Sequence, residues 1–235
     1  MNGGLGNVVL IALVAIVPLV VLMLTSFVKV SVVLGLLRNA IGAPDAPSGL
    51  VIMGVALVLT FFVMAPVAID MVHAAASAPA RGGDQGGAKP PAPPLAPPGL
   101  EPAVRELVPA PYQPQLDAAA RALEPLRAFL ARHAGARDRD TFVALAQRMG
   151  RAATGDELWV LAPAFLATEL REAFAIAVLI FLPFLVIDLV VGLALAALGL
   201  ATTSPQVIAL PLKLLLFVAV DGWRLLIDGL LRGYA

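Results

Sequence analysis

The 235-residue chain has no cysteine, so disulfides, thiolate metal sites and a cysteine nucleophile are excluded. It is also poor in charge. Asp, Glu, Lys and Arg make up only 14% of the residues, while 60% are hydrophobic and the mean hydropathy is strongly positive, which no ordinary soluble globule shows. Sixteen basic and sixteen acidic residues cancel, leaving no cationic excess for nucleic acid and no acidic excess for a solvating tail. The two histidines, His73 and His133, have no carboxylate or serine at metal-ligand or triad spacing, and no phosphate-binding glycine loop of the GxxxxGK[ST] kind is present. The chain is expected to be no enzyme and to carry no cofactor or metal.

What is present is apolar and unevenly interrupted. Residues 81–172 hold eleven basic and eleven acidic residues, and the ten remaining charges punctuate uncharged runs at 2–28, 46–69, 173–187, 189–212 and 214–220. A spanning helix needs about 20 apolar residues, so the first two runs qualify by length. The first reads as a retained helix rather than a cleaved signal, because no Lys/Arg-bearing region precedes its apolar stretch and no small-residue cleavage site follows. The stretch 29–45 between them reads as a basic loop carrying Lys29 and Arg38, and the positive-inside rule puts it on the cytoplasmic side. The long charged segment then lies outside, in the periplasm of a bacterium.

Eleven prolines between Pro79 and Pro114, with two Gly-Gly pairs, predict a flexible linker over 74–115. Leu116, Leu123, Leu126, Phe129 and Leu130 then recur at helical spacing, with Pro125 expected to restart the helix. Phe142, Leu145, Ala146 and Met149 form a second apolar stripe, entered through Asp138 or Asp140 as a cap, and Thr154 to Glu157 has capping-box spacing. Nothing alternates with a period of two. The expected class is all-α: four long, kinked apolar helices in membrane-protein-like hairpins, with a small helical periplasmic domain between the second and third. The expected parts are 1–73, the linker 74–115, the small domain 116–165 and the final hairpin 166–235.

That hairpin is unusual. A helix opened by Pro163 is expected to run to Leu198, interrupted at Pro183, and Ser204-Pro205 suits a cap and first helical position after a turn near Thr203. Such a turn sets Asp188 near the level of Lys213 and Asp221, and ionisable residues in apolar helices are tolerated when they pair or face water. One reading is a polar path or an inter-helix or inter-subunit contact; the other is a snorkelling lysine with acids at helix ends. Pro18, Pro66, Pro183 and Pro211 each remove a helix hydrogen bond, a loss that packed neighbours compensate better than lipid does, which favours a multi-subunit assembly.

The residues Leu24-Thr25-Ser26-Phe27-Val28-Lys29-Val30 and Val33-Leu34-Gly35-Leu36-Leu37-Arg38-Asn39-Ala40-Ile41-Gly42 closely resemble a signature of the SctR/FliP family of type III secretion export-gate proteins. So do 59–67, the Phe181–Val190 run through Pro183 and Asp188, and Leu210–Val218 followed by Asp221-Gly222-Trp223. The resemblance covers about 8–70 and 165–230 and leaves only the Pro-rich segment without a counterpart. It implies five copies, joined by S-type and T-type subunits, forming the inner-membrane entrance through which unfolded proteins are exported. It also implies apolar helices packed largely on neighbouring subunits, and a pore-facing tip at Leu200, Ala201, Thr202 and Thr203. Family members usually carry a methionine run there; Leu, Ala and Thr are stiffer or smaller than the adaptable thioether, so the seal is looser or comes from a partner. Lys29 after Ser-Phe-Val and the Met64-Ala65-Pro66 sequence resemble the injectisome type more than the flagellar type. A stand-alone transporter is the competing class, but residues 8–69 and 173–230 share no repeat.

Overall fold

The computed structural model describes residues 20–43, 47–76, 113–200 and 202–234. Most of the first apolar run, the bulk of the Pro-rich segment and Ala201 lie outside them. All regular structure among the described residues is helical: α1 Phe27–Ile41, α2 Gly49–Ala76, α3 Gln113–His133, α4 Ala136–Arg148, α5 Leu158–Ala197, α6 Pro205–Ala219, α7 Gly222–Leu231 and a closing 3₁₀ turn, Arg232–Tyr234. The chain divides into two compact units, Met1–Val63 with Glu169–Ala235, and Met64–Thr168.

In the first unit the expected basic loop is instead the most deeply buried helix, α1. Val30, Val33, Leu34, Leu37, Ala40 and Ile41 fall at helical spacing, and all are buried. Around them pack Ala56 of α2, Ala173 and Phe184 of α5, Phe217 of α6, and Leu226 and Leu230 of α7. Lys29 and Arg38 suggested a solvated connection, yet a helix can carry two cations on an apolar stripe when each finds a partner. The true connection is short, from Gly42, in a left-handed conformation at φ 84°, to Ser48.

Four long apolar helices were expected; among the described residues two, α2 and α5, are long and apolar enough to cross a membrane. At 1.5 Å per residue they extend about 42 and 60 Å. Pro163 and Pro183 lie inside α5 rather than opening or interrupting it, and Pro66 and Pro211 likewise lie inside α2 and α6. The expected fourth long helix is broken after Ala219, because Asp221 adopts φ 53° and redirects the chain into α7. Both long helices leave most of their apolar surface uncovered: Phe61 is 75% exposed, and Val58, Phe62, Leu179 and Leu193 are also exposed. Among the described residues nothing covers this apolar area, as in a helix that faces lipid or a neighbouring subunit.

In the second unit, α3 and α4 pack with the start of α5. Leu126, Phe129 and Leu130 are buried along with Val160, Leu161 and Phe165, and the Phe129 and Phe165 rings meet at 5.8 Å. Pro125 sits inside α3 and does not restart it. Helix α4 is capped by Gly135 instead of Asp138 or Asp140. The Gly135 N–H donates to Thr168 Oγ1 at 2.9 Å, and the Thr168 hydroxyl, 2.5 Å from Asp138 Oδ2, donates to that carboxylate. One threonine on α5 thus completes the α3–α4 turn. Thr168→Val is expected to strand the Gly135 N–H and cost about 1–3 kcal/mol. A lowered thermal midpoint of the full chain in detergent, recovered by Thr168→Ser, is the expected readout.

Thr154 and Glu157 engage in one direction only. The Glu157 carboxylate accepts from the Thr154 N–H and hydroxyl and from the Gly155 N–H, each at 2.9 Å, closing the loop before α5. Burial disfavours the charged carboxyl, but these donors together outweigh it and hold Glu157 below its usual value of 4.5. That clamp contributes at neutral pH and is lost only as pH falls below the ordinary carboxylate range.

Candidate functional site

Two buried lysines and one exposed turn organise the first unit. Helical residues 20–23 end in a break at Leu24–Ser26. The Thr25 hydroxyl donates to the Leu22 carbonyl at 2.7 Å and its oxygen accepts from the Phe27 N–H at 3.3 Å, so one side chain closes the preceding turn and opens α1. The new helix direction carries Lys29 inward. Its side chain is 2% exposed, with Nζ 2.7 Å from Glu172 Oε2, 3.2 Å from Glu169 Oε1 and 4.3 Å from the Tyr234 ring centroid. The Tyr234 hydroxyl donates to the other Glu169 oxygen. Burial, reinforced by the Glu169 charge, pushes that hydroxyl far above its ordinary value, so it stays a donor. The site thereby joins α1, α5 and the chain's last turn. Its charge complement is one cation to two carboxylates, with Glu172 reaching the surface.

The second lysine, Lys213 on α6, is 5% exposed. Its ammonium donates to Asp188 Oδ2 on α5 at 2.7 Å and to the Ala40 carbonyl at 3.0 Å. Ala40 lies in the last turn of α1, where carbonyls lack helical partners and the dipole favours a cation. Lys213 therefore does not snorkel to solvent. Asp188 keeps part of its carboxylate at the surface.

Of the three charges expected to stand together, the structure brings two together. Asp221 stands at the exposed break between α6 and α7, outside the pair, because the left-handed residue ends the helix there. Arg38 occupies the last turn of α1 beside Gly49, and its buried Nε has no hydrogen-bond partner among the described residues.

The hairpin tip follows α5. The Leu200 N–H donates back to the Leu195 carbonyl at 2.9 Å across Gly199 at φ 73°, the six-to-one closure that ends many helices. Ser204 holds the N-cap position before Pro205, but its hydroxyl donates to Gln206 Oε1 at 2.6 Å and makes no capping bond. Leu198, Leu200, Thr202 and Thr203 are exposed, and Ala201 lies outside the described residues. Among the described residues Val191, Leu195 and Ala209, with Ile187 against them, form a small core between the arms near the tip.

His133 is a packing residue, with Nδ1 2.8 Å from the Phe129 carbonyl and its ring against that of Phe129. The sequence reading missed Glu169, Glu172 and Tyr234. Two acids three residues apart, at the edge of an apolar run, were the available signal.

The FliP family profile matches residues 10–230, nearly the whole chain. The chain belongs to the FliP family. Among FliP-family relatives, a protein named pathogenicity-related ORF2 from Xanthomonas campestris pv. glycines is 42% identical over 96% of this chain and 94% of its own length. The hypersensitivity response secretion protein HrcR of Ralstonia nicotianae is 39% identical over 97% of this chain and 95% of its own. The flagellar biosynthetic protein FliP of Pectobacterium carotovorum subsp. carotovorum is 38% identical over 97% of this chain and 78% of its own. The FliP-family match runs through the lysines, their carboxylate partners and the tip, and ends before Tyr234.

Proposed function

We propose that this chain is a core subunit of the type III protein-secretion export gate, seated in the bacterial inner membrane. Five copies with S-type and T-type subunits form the channel entrance, and secreted proteins cross it unfolded. The observation that carries this reading is the family match over residues 10–230, with relatives named for secretion and flagellar biosynthesis. The uncovered apolar faces of α2 and α5 support a subunit that is completed by neighbours and lipid. The injectisome type is preferred over the flagellar type, and the near-complete mutual coverage with HrcR supports that choice.

In this reading the small helical domain at 116–165 lies in the periplasm, and Leu200, Ala201, Thr202 and Thr203 line the closed pore. Asp188 and Lys213 serve the gate by fixing the hairpin arms. A cysteine at Thr202, in a gate assembled with its partners, is expected to crosslink between copies or to a substrate arrested in the channel. A stable complex in which that cysteine reaches neither would overturn the pore assignment.

A further inference from the structure

Among the described residues of α3, α4 and the start of α5 through Thr168, large apolar side chains are exposed at four positions: Leu123, Leu145, Met149 and Trp159. Three of these line a single pocket of about 200 Å³, completed by Phe142, Val160 and Arg151. This clustering differs in kind from the exposure along α2 and α5. Helix α4 carries Arg137, Asp138, Arg139, Asp140 and Arg148 within thirteen residues, so it faces water and not acyl chains. A contiguous apolar patch on a charged helix marks a contact site.

The backbone builds the pocket's polar edge. Gly150, at φ 76°, ends α4 with its N–H on the Gln147 carbonyl, and the Arg151 N–H returns to the Ala146 carbonyl at 3.0 Å. That closure folds Arg151 back, with its guanidinium 5.8 Å from the Trp159 ring centroid. Arg148, one turn beyond Leu145, adds a second cation to the same helix end. Among the described residues no carboxylate lines the pocket. The two acids nearest in sequence are engaged elsewhere: Asp156 lies 3.7 Å from Arg139, and Glu157 closes its own loop. Tryptophan, methionine and arginine around a small apolar hollow are the composition of an interface anchor point.

We propose that this pocket is the docking site for an acidic segment of a partner protein that inserts one large apolar side chain beside Trp159 and sets carboxylates against Arg148 and Arg151. The volume admits one side chain, and the two cations, which have no carboxylate partner among the described residues, select acidic flanks. The proposal is independent of the export-gate reading.

The test uses the full chain in detergent with two fluorescein-labelled dodecapeptides, each carrying one central leucine, flanked by aspartates in one and by lysines in the other. The aspartate peptide is expected to bind saturably in the micromolar range, with at least a tenfold preference over the lysine peptide, and to change Trp159 fluorescence. Arg151→Glu should weaken the aspartate peptide at least tenfold and improve the lysine peptide. Met149→Ala, at a side chain 68% exposed and so without a folding role, removes apolar lining without adding charge and should weaken both. Equal binding of the two peptides, no binding of the aspartate peptide, or Arg151→Glu leaving it unchanged would overturn the proposal. So would loss of self-association of the chain in Arg151→Glu, which would make a second copy the occupant.

Discussion

Lys29→Met is expected to reduce the folded yield of the full chain severely, at a cost of about 3–5 kcal/mol, the usual consequence of leaving a buried charge without its partner. Glu169 is 1% exposed and faces the Lys29 ammonium at 3.2 Å. With the ammonium gone, only the Tyr234 hydroxyl remains on that carboxylate, and the chain's last turn loses its tie to α1. A loss of this size consumes much of the 5–15 kcal/mol that holds a typical domain. Removing the stranded carboxylates should restore the fold. Adding Glu169→Gln and Glu172→Gln to Lys29→Met removes every uncompensated charge, so the triple variant should recover most of the yield and thermal midpoint. A triple variant no better than Lys29→Met would show that the lysine acts by shape alone.

Gly222→Ala should be the most damaging single methyl group that can be added at a glycine of this chain's described core. A Cβ there would lie 2.3 Å from two carbons of the Phe217 ring and 2.9 Å from a third. The ring cannot swing aside easily: it is buried among the core residues and meets Trp223 edge-on, with centroids 5.5 Å apart and planes at 82°. Nor can the backbone, because Asp221 already holds a left-handed conformation that few side chains adopt. Overpacking of this kind costs about 1–3 kcal/mol. The partner test is Phe217→Ala. Alone it opens a cavity, but combined with Gly222→Ala the new methyl has room, so the two losses should be strongly less than additive. Additive losses, or an unchanged midpoint in Gly222→Ala, would remove the clash as an explanation.

Helical content, a turn between Leu198 and Pro205 and the Asp188–Lys213 juxtaposition were legible because each follows from spacing along one or two adjacent helices, whereas the closure at Gly199 was not read. The role of α1 was partly legible. Val30, Val33, Leu34, Leu37, Ala40 and Ile41 display the stripe openly, but dividing the chain at its charges cut the helix at Lys29 and turned it into a loop. The partners of Lys29 were not legible. Glu172 is 143 residues away in the chain, and no local pattern encodes a pairing decided only by packing. Prolines misled in a consistent way: Pro125, Pro163 and Pro183 all fit inside continuous helices, where the missing N–H is a local loss that the remaining ladder and packing absorb. The break at Asp221 was hidden for the opposite reason, since aspartate in a left-handed conformation has no strong sequence mark beyond the glycine that follows.

The two lysines have a joint consequence. Lys29 stands in the first turn of α1, and Lys213 grips Ala40 in its last, while both find their carboxylates on the same helix, Glu169 and Glu172 near one end of the pairing and Asp188 near the other. Helix α5 is thus bolted beside α1 at two points 16 residues apart along its own length, about 24 Å by helical rise. Sliding α5 by a single turn would shear both bolts at once. An insertion or deletion in α5 between Glu172 and Asp188 is therefore expected to misalign at least one of the two lysine sites, whereas beyond Asp188 the arms are joined by the small core of Val191, Leu195 and Ala209.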